Sequence, residues 1–238
     1  MLETSRREFT SLEAWRSTLA EFIATLLFVF LGAGSVIVSG GLPNGDLDPA
    51  RLVAIALAHG VAIAFLVYAT ANISGGHLNP AVTFAALLTK KISAARGLMF
   101  VVAQLGGAVV GALLLLATIP GAADTNLGAH ALGPDVSVGM GLLMEIVITF
   151  ALVFVIFATA VDPRGMGNLA PLAIGLTVLA DHLLAVPITG ASMNPARSFG
   201  PALVSGEWAG HWLYWAGPLL GGALAGLVYQ IAFINRPR

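Results

Sequence analysis

Six stretches of this 238-residue chain, at about 18–39, 52–71, 97–118, 138–160, 168–187 and 211–233, are apolar over the length needed to cross a bilayer. A span takes roughly 20 apolar residues to traverse about 30 Å of hydrocarbon. Lipid offers no partner for a backbone N–H or C=O, so each stretch is expected to be a helix. The composition leaves little else: 58% of residues are hydrophobic, 10% are charged, and mean hydropathy is +0.90. Soluble domains carry about 25% charged residues. The 28 glycines suit helices that approach closely in lipid. A soluble enzyme and a disordered chain are excluded on these grounds. With 11 basic and 12 acidic residues there is no basic footprint for nucleic acid. The lack of cysteine removes disulfides, thiolate metal sites and thiol nucleophiles.

Residues 1–16 are charged and contain no small-residue cleavage site, so the first span is expected to stay in place. An even number of spans puts both termini on one side. Arg6, Arg7, Arg16, Lys90, Lys91, Arg96, Arg164, Arg236 and Arg238 fall on that side, whereas the opposite loops hold Arg51 with Asp46, Asp48, Asp124, Asp135 and Glu207. The excess of basic residues predicts cytoplasmic termini. Arg197 belongs to neither set.

The chain is also duplicated. ISGGHLNPAVTF at 73–84 returns as ITGASMNPARSF at 188–199, an offset of 115 residues, and GGAVVG at 106–111 returns as GGALAG at 221–226. EFIATLLFVF at 21–30 pairs with EIVITFALVF at 145–154, matching Glu21 to Glu145. The expectation is one integral membrane domain over 1–238, with repeats at about 18–118 and 138–233 and tails at 1–16 and 234–238. Three spans per repeat reverse the second repeat in the membrane, an arrangement whose binding sites lie near the midplane at broken helices. Asn79-Pro80-Ala81 and Asn194-Pro195-Ala196 supply the breaks, because Asn is a good N-cap and Pro suits the first helical position. The apolar pieces that follow, about 80–89 and 195–204, rise only roughly 14 Å. Irregular backbone at membrane depth survives where it is buried or lines a watery cavity. The loops Ser74–His77 and Thr189–Ser192 are therefore expected to line a pore.

These paired signatures, SGGHLNPAVTF and GASMNPARSFGPAL, resemble the aquaporins, or major intrinsic proteins, over essentially the whole chain. DPRGMGNLAPLAIG and GHWLYWAGPLLGG look most like the plant tonoplast branch. The resemblance implies an all-α membrane fold of six helices and two re-entrant half-helices, one pore per subunit, and a homotetramer. It implies passage of water and small neutral solutes without a cofactor or metal. The plasma membrane is the first host expected and the vacuolar membrane the second. Two half-helix N-termini at the midplane would each present about half a positive charge and repel cations. Asn79 and Asn194 are expected to cap these helices and donate amide N–H groups to water. The carbonyls of Gly75, Gly76, His77, Gly190, Ala191 and Ser192 are the expected acceptors.

Arg197 lies three residues beyond Asn194. Arginine at membrane depth marks a cavity or a functional site. His59 and His182 reach similar depths on the outer side, roughly 10 and 8 Å from their helix ends. The resemblance makes His59, His182, Ala191 and Arg197 the aromatic/arginine filter. It also places His130 where some tonoplast-type channels use a loop histidine to touch that arginine. Histidine at 182 is typical of water-selective relatives, whereas histidine at 59 is a tonoplast feature that widens the filter. Glu21 and Glu145 are expected to hold the re-entrant loops, with a proton relay as the alternative. Asp181 has no assigned partner; pairing with His182 or His130 would favour the imidazolium and make flow pH-dependent.

A glycerol facilitator is the nearest rival, but such channels typically follow the arginine with aspartate, and Ser198 stands here. Ala202, Tyr214 and Trp215 also match water channels. A secondary transporter would share the inverted repeat yet needs titratable or ion-coordinating groups at the midplane, where this chain offers amides and glycines. An enzyme is not expected, since no serine or carboxylate pair sits beside a base at pore depth.

Overall fold

A computed structural model describes residues 8–40 and 47–235. Arg6, Arg7, Asp46, Arg236 and Arg238, used above for orientation, lie outside them. The first repeat contains α1 (Leu12–Val38), α2 (Pro49–Ser74), the short α3 (Pro80–Leu88) and α4 (Ala94–Thr118). The second contains α5 (Val138–Ile156), α6 (Ala170–Thr189), the short α7 (Pro195–Ser205) and α8 (Leu213–Tyr229). Six of these helices, all but α3 and α7, are long and apolar enough to cross a membrane. α5 and α8 each finish in a π turn, at Phe157–Val161 and Gln230–Ile234. A 3-10 segment, Ala122–Gly128, begins the long loop between α4 and α5.

Local chemistry sets the ends. The side chains of Ser11, Asp48, Ser93 and Ser137 accept backbone N–H groups at the starts of α1, α2, α4 and α5. α2 and α6 end at Gly75 and Gly190 in left-handed conformations, φ 93° and 82°. That geometry is open to glycine at no steric cost, and it turns the chain into each re-entrant loop.

Within the repeats α1 packs on α4 and α5 on α8; between them α2 packs on α6. The half-helices cross over: α3 lies against α8 of the second repeat, and α7 against α4 of the first. At the α2–α6 crossing Gly60 and Gly175, equivalent residues by the 115-residue offset, face one another. A methyl group on either would lie 2.7 or 2.5 Å from the other's carbonyl oxygen. Contact this close is how helices associate where lipid removes the hydrophobic drive. Outward-facing Leu19, Ile23, Val102, Leu143, Val147 and Leu176 remain exposed, as a lipid-facing surface requires.

Candidate functional site

The two Asn-Pro-Ala turns meet. Asn79 Oδ1 accepts the Ala81 N–H at 2.8 Å, and Asn194 Oδ1 accepts those of Ala196 and Arg197 at 3.0 and 3.3 Å. Each amide then bonds across the repeat boundary: Asn79 Nδ2 donates to the Met193 carbonyl at 2.8 Å, and Asn194 Nδ2 to that of Leu78 at 2.9 Å. The half-helices thus abut N-terminus to N-terminus. One N–H of each asparagine is engaged in this joint, leaving one, where the sequence had assigned both residues only to capping and water.

The loops behind them share one backbone path. Gly76 and Ala191 have φ 65° and 59°, and Leu78 and Met193 have φ 54° and 51°. Left-handed Leu, Ala and Met are strained, and such strain persists only where the surroundings impose it. Buried carboxylates impose it here. Glu21 accepts from Ser74 Oγ, the N–H groups of His77 and Leu78, and Gln104 Nε2, at 2.6 to 2.9 Å. Glu145 accepts from Thr189 Oγ1 and the N–H groups of Ser192 and Met193, at 2.7 to 2.9 Å. With the loop N–H groups turned toward these carboxylates, no donor among the described residues reaches the carbonyls of Gly75, Gly76, His77, Gly190, Ala191 or Ser192.

On the side of the termini a cavity of about 310 Å³ runs to the joint, lined by Val67, Gly76, Asn79, Val82 and Ile174 among others. Beyond the joint lie His59, His182, Ala191 and Arg197, all buried. The His59 and His182 rings stack with centroids 4.1 Å apart and planes at 29°. Their Nδ1 atoms lie 2.9 and 2.8 Å from the carbonyls of Ile55 and Val178. A carbonyl only accepts, so both imidazoles carry the proton on Nδ1 and present Nε2 as an acceptor. Arg197 Nε donates to His59 Nε2 at 3.4 Å, and its Nη1 to the Gly128 carbonyl at 2.8 Å. His59 thus touches both His182 and Arg197, and these three side chains form one layer.

His130 lies beside this layer but does not hydrogen-bond the arginine. Its Nδ1 sits 2.8 Å from Ser198 Oγ, which in turn lies 2.6 Å from Ser192 Oγ. The loop reaches the guanidinium through the Gly128 carbonyl instead. Burial, then the nearby Arg197 charge, holds the His130 pKa well below its ordinary value. Asp181 forms no ion pair with His182 or His130 among the described residues, and its Oδ2 is buried without a partner. The expectation of a more readily protonated imidazole is corrected accordingly, since charge and burial act on His130 in the opposite direction.

Sequence reasoning missed three supports. Gln104 bridges Glu21 and Thr83 at 2.8 and 3.0 Å, and a lone amide in an apolar span was the available signal. Thr83, 3.0 Å from His77 Nδ1, and Ser198 share one place in the repeat. The Gly128 carbonyl left no signal, because a backbone group has no residue type.

Known proteins resemble this chain. Probable aquaporin TIP2-1 of Oryza sativa subsp. japonica is 54% identical over 229 residues, covering 95% of this chain and 90% of that protein. Aquaporin TIP4-4 of Zea mays is 49% identical over 230 residues, covering 96% and 90%. The solved aquaglyceroporin from Plasmodium falciparum superposes with a TM-score of 0.80 at 24% identity, over 93% of this chain and 97% of that one. That last likeness concerns the fold. The major intrinsic protein family matches residues 8–229, nearly the full described length. By that match and by its paired, abutting Asn-Pro-Ala turns, the chain belongs to the major intrinsic protein family.

Proposed function

We propose that this protein is a passive water channel that excludes protons and ions. The observation that carries the reading is the joint itself: two half-helices capped by Asn79 and Asn194, their N-termini abutting beside a cavity. Each N-terminus bears about half a positive charge, so the midpoint repels cations while a neutral molecule passes. The remaining amide N–H of Asn79 and of Asn194 donates to a water oxygen there. A water accepting both donors points its hydrogens outward, and a proton-conducting file is interrupted. The unpartnered loop carbonyls replace hydration on either side.

The filter comprises His59, His182, Ala191 and Arg197. Arg197 donates and adds a fixed positive charge, while the unpartnered His182 Nε2 accepts, so water finds both partners and a cation meets a barrier. Stacked imidazoles and a buried guanidinium offer no apolar wall to a polyol. Ammonia or hydrogen peroxide, small enough for the same file, are the further permeants proposed. No bond-making chemistry is proposed. The assembly is a homotetramer with one pore per subunit, and the TIP-type relatives favour the vacuolar membrane over the plasma membrane as host.

Stopped-flow light scattering on proteoliposomes tests the reading. Water permeability should rise well above that of empty liposomes, with glycerol permeability near background. Glycerol flux matching water flux would favour a polyol facilitator instead.

A further inference from the structure

Gly32, on α1, has no part in the site described above, yet it lies directly behind the His59 ring. A Cβ placed on Gly32 would fall 2.7 Å from both Cδ2 and Nε2 of His59 and 3.3 Å from Cε1. Real Cβ atoms do not approach that closely, so any side chain at position 32 must displace the ring. The ways out are few. The Ile55 carbonyl tethers Nδ1 at 2.9 Å, and the Phe28 ring, its centroid 5.8 Å from that of His59 and its plane at 83°, stands on the α1 side. Arg197 and the His182 ring occupy the lumen side. A displaced imidazole therefore moves into the layer through which permeants must pass.

The other repeat shows the complementary solution. The 115-residue offset carries His59 to Ile174, and the pairing of 21–30 with 145–154, continued two residues, carries Gly32 to Ile156. Ile174 and Ile156 both line the cavity on the side of the termini. An aliphatic side chain thus faces another where the channel is wide, and a ring faces bare backbone where it is narrow.

We propose that Gly32 is a positioning residue that sets the aperture of the outer constriction by giving the His59 ring a recess in the α1 surface. The inference rests on the water-channel reading and extends it to a residue remote from the permeant.

The test measures water permeability per reconstituted channel for wild type, Gly32→Ala, His59→Ala, the double variant Gly32→Ala/His59→Ala, and Gly34→Ala. Gly34 is a control on the same helix, where a Cβ would meet Leu115 Cδ2 at 3.0 Å and no filter residue. Gly32→Ala should lower permeability roughly tenfold, the effect of about 1.4 kcal/mol of overpacking on the barrier. The double variant should conduct like His59→Ala alone, and Gly34→Ala like wild type. Wild-type permeability in Gly32→Ala, or a double variant well below His59→Ala, overturns the inference; so does an equal loss in Gly34→Ala. Should Gly32→Ala fail to fold, the double variant against His59→Ala decides in the same way. A wild type that conducts no water refutes the underlying reading instead, which keeps the two failures apart.

Discussion

The two ends of the pore are built from one template and do different things. The offset of 115 residues carries His59, His182, Ala191 and Arg197 of the outer layer onto Ile174, Val67, Gly76 and Val82. All four of those counterparts line the cavity on the side of the termini. The backbone is shared, as the matched left-handed residues show, and only the side chains diverge. Where they are imidazoles and a guanidinium the layer is closed and polar; where they are aliphatic or absent it opens into about 310 Å³. On the proposed function, water uses the loop carbonyls along the whole path, and both repeats carry those loops. The narrow layer draws on both repeats, with His59 from the first and His182, Ala191 and Arg197 from the second.

The buttresses differ as well. Glu21 receives four donors and Glu145 three. The missing donor is traceable, since the place of Gln104 falls on Leu219 in the second repeat. Likewise the Thr25 hydroxyl reaches the Leu78 carbonyl at 3.4 Å, whereas that of Thr149 is buried without a partner. The second loop relies instead on the Ser192–Ser198–His130 chain, in which a residue from the α4–α5 loop does work that His77 and Thr83 do locally in the first.

The largest effect expected is on charge selectivity. Arg197→Val gives the outer layer the residue of its inner counterpart, and it should raise cation leakage at least about tenfold in ion-flux assays on liposomes. Osmotic light scattering on Val82→Arg proteoliposomes should show water flux cut sharply, because the inner layer then gains a constriction. Next comes Glu21→Ala, which leaves the loop N–H groups of His77 and Leu78 without an acceptor. Its loss of stability in detergent should exceed that of Glu145→Ala by about 1.5–3 kcal/mol, the worth of one further hydrogen bond to a charged group. Equal losses would mean that Gln104 adds nothing to the first buttress.

A smaller change follows from making the outer layer resemble the inner one in its histidines alone. His59→Ile with His182→Val should raise glycerol permeability several-fold, roughly the 1 kcal/mol scale of a single lost polar contact. An unchanged water-to-glycerol ratio would remove the imidazoles from the filter. The smallest effect concerns pH. His130 is held neutral in the folded protein, while an unfolded imidazole takes up a proton below about pH 6.5. Its burial therefore stabilises the fold above that pH, and the benefit fades on acidification. Water permeability should stay flat from pH 8 to 6, with any loss of thermal stability beginning below about pH 6.5. A steep change of flow within that window would contradict this placement of His130.

Much of this was legible in the residues. Length and hydropathy located the six spans, and the repeated tripeptide located both half-helices to within a residue, because N-cap chemistry and proline both act locally. Span ends were less accurate. α1 begins at Leu12 instead of about 18, since Glu13 and Arg16 can lie in the headgroup region while their backbone is already helical. The π turns after α5 and α8 had no sequence signal, because they depend on how the last turn packs. What sequence could not supply was cross-repeat geometry. Nothing in Asn79 says that its amide will reach the Met193 carbonyl, nor in Gly32 that an imidazole will lie over it. Such contacts arise only when the two halves are brought together.

The central claim is that neutral water crosses the joint between the half-helices while protons do not. It is tested most directly by recording both fluxes in the same proteoliposomes, osmotic shrinkage by light scattering and proton entry by an enclosed pH dye. The account predicts water permeability far above that of empty vesicles, with proton entry indistinguishable from theirs. Proton entry rising in step with water flow, or no gain in water flow at all, would contradict it.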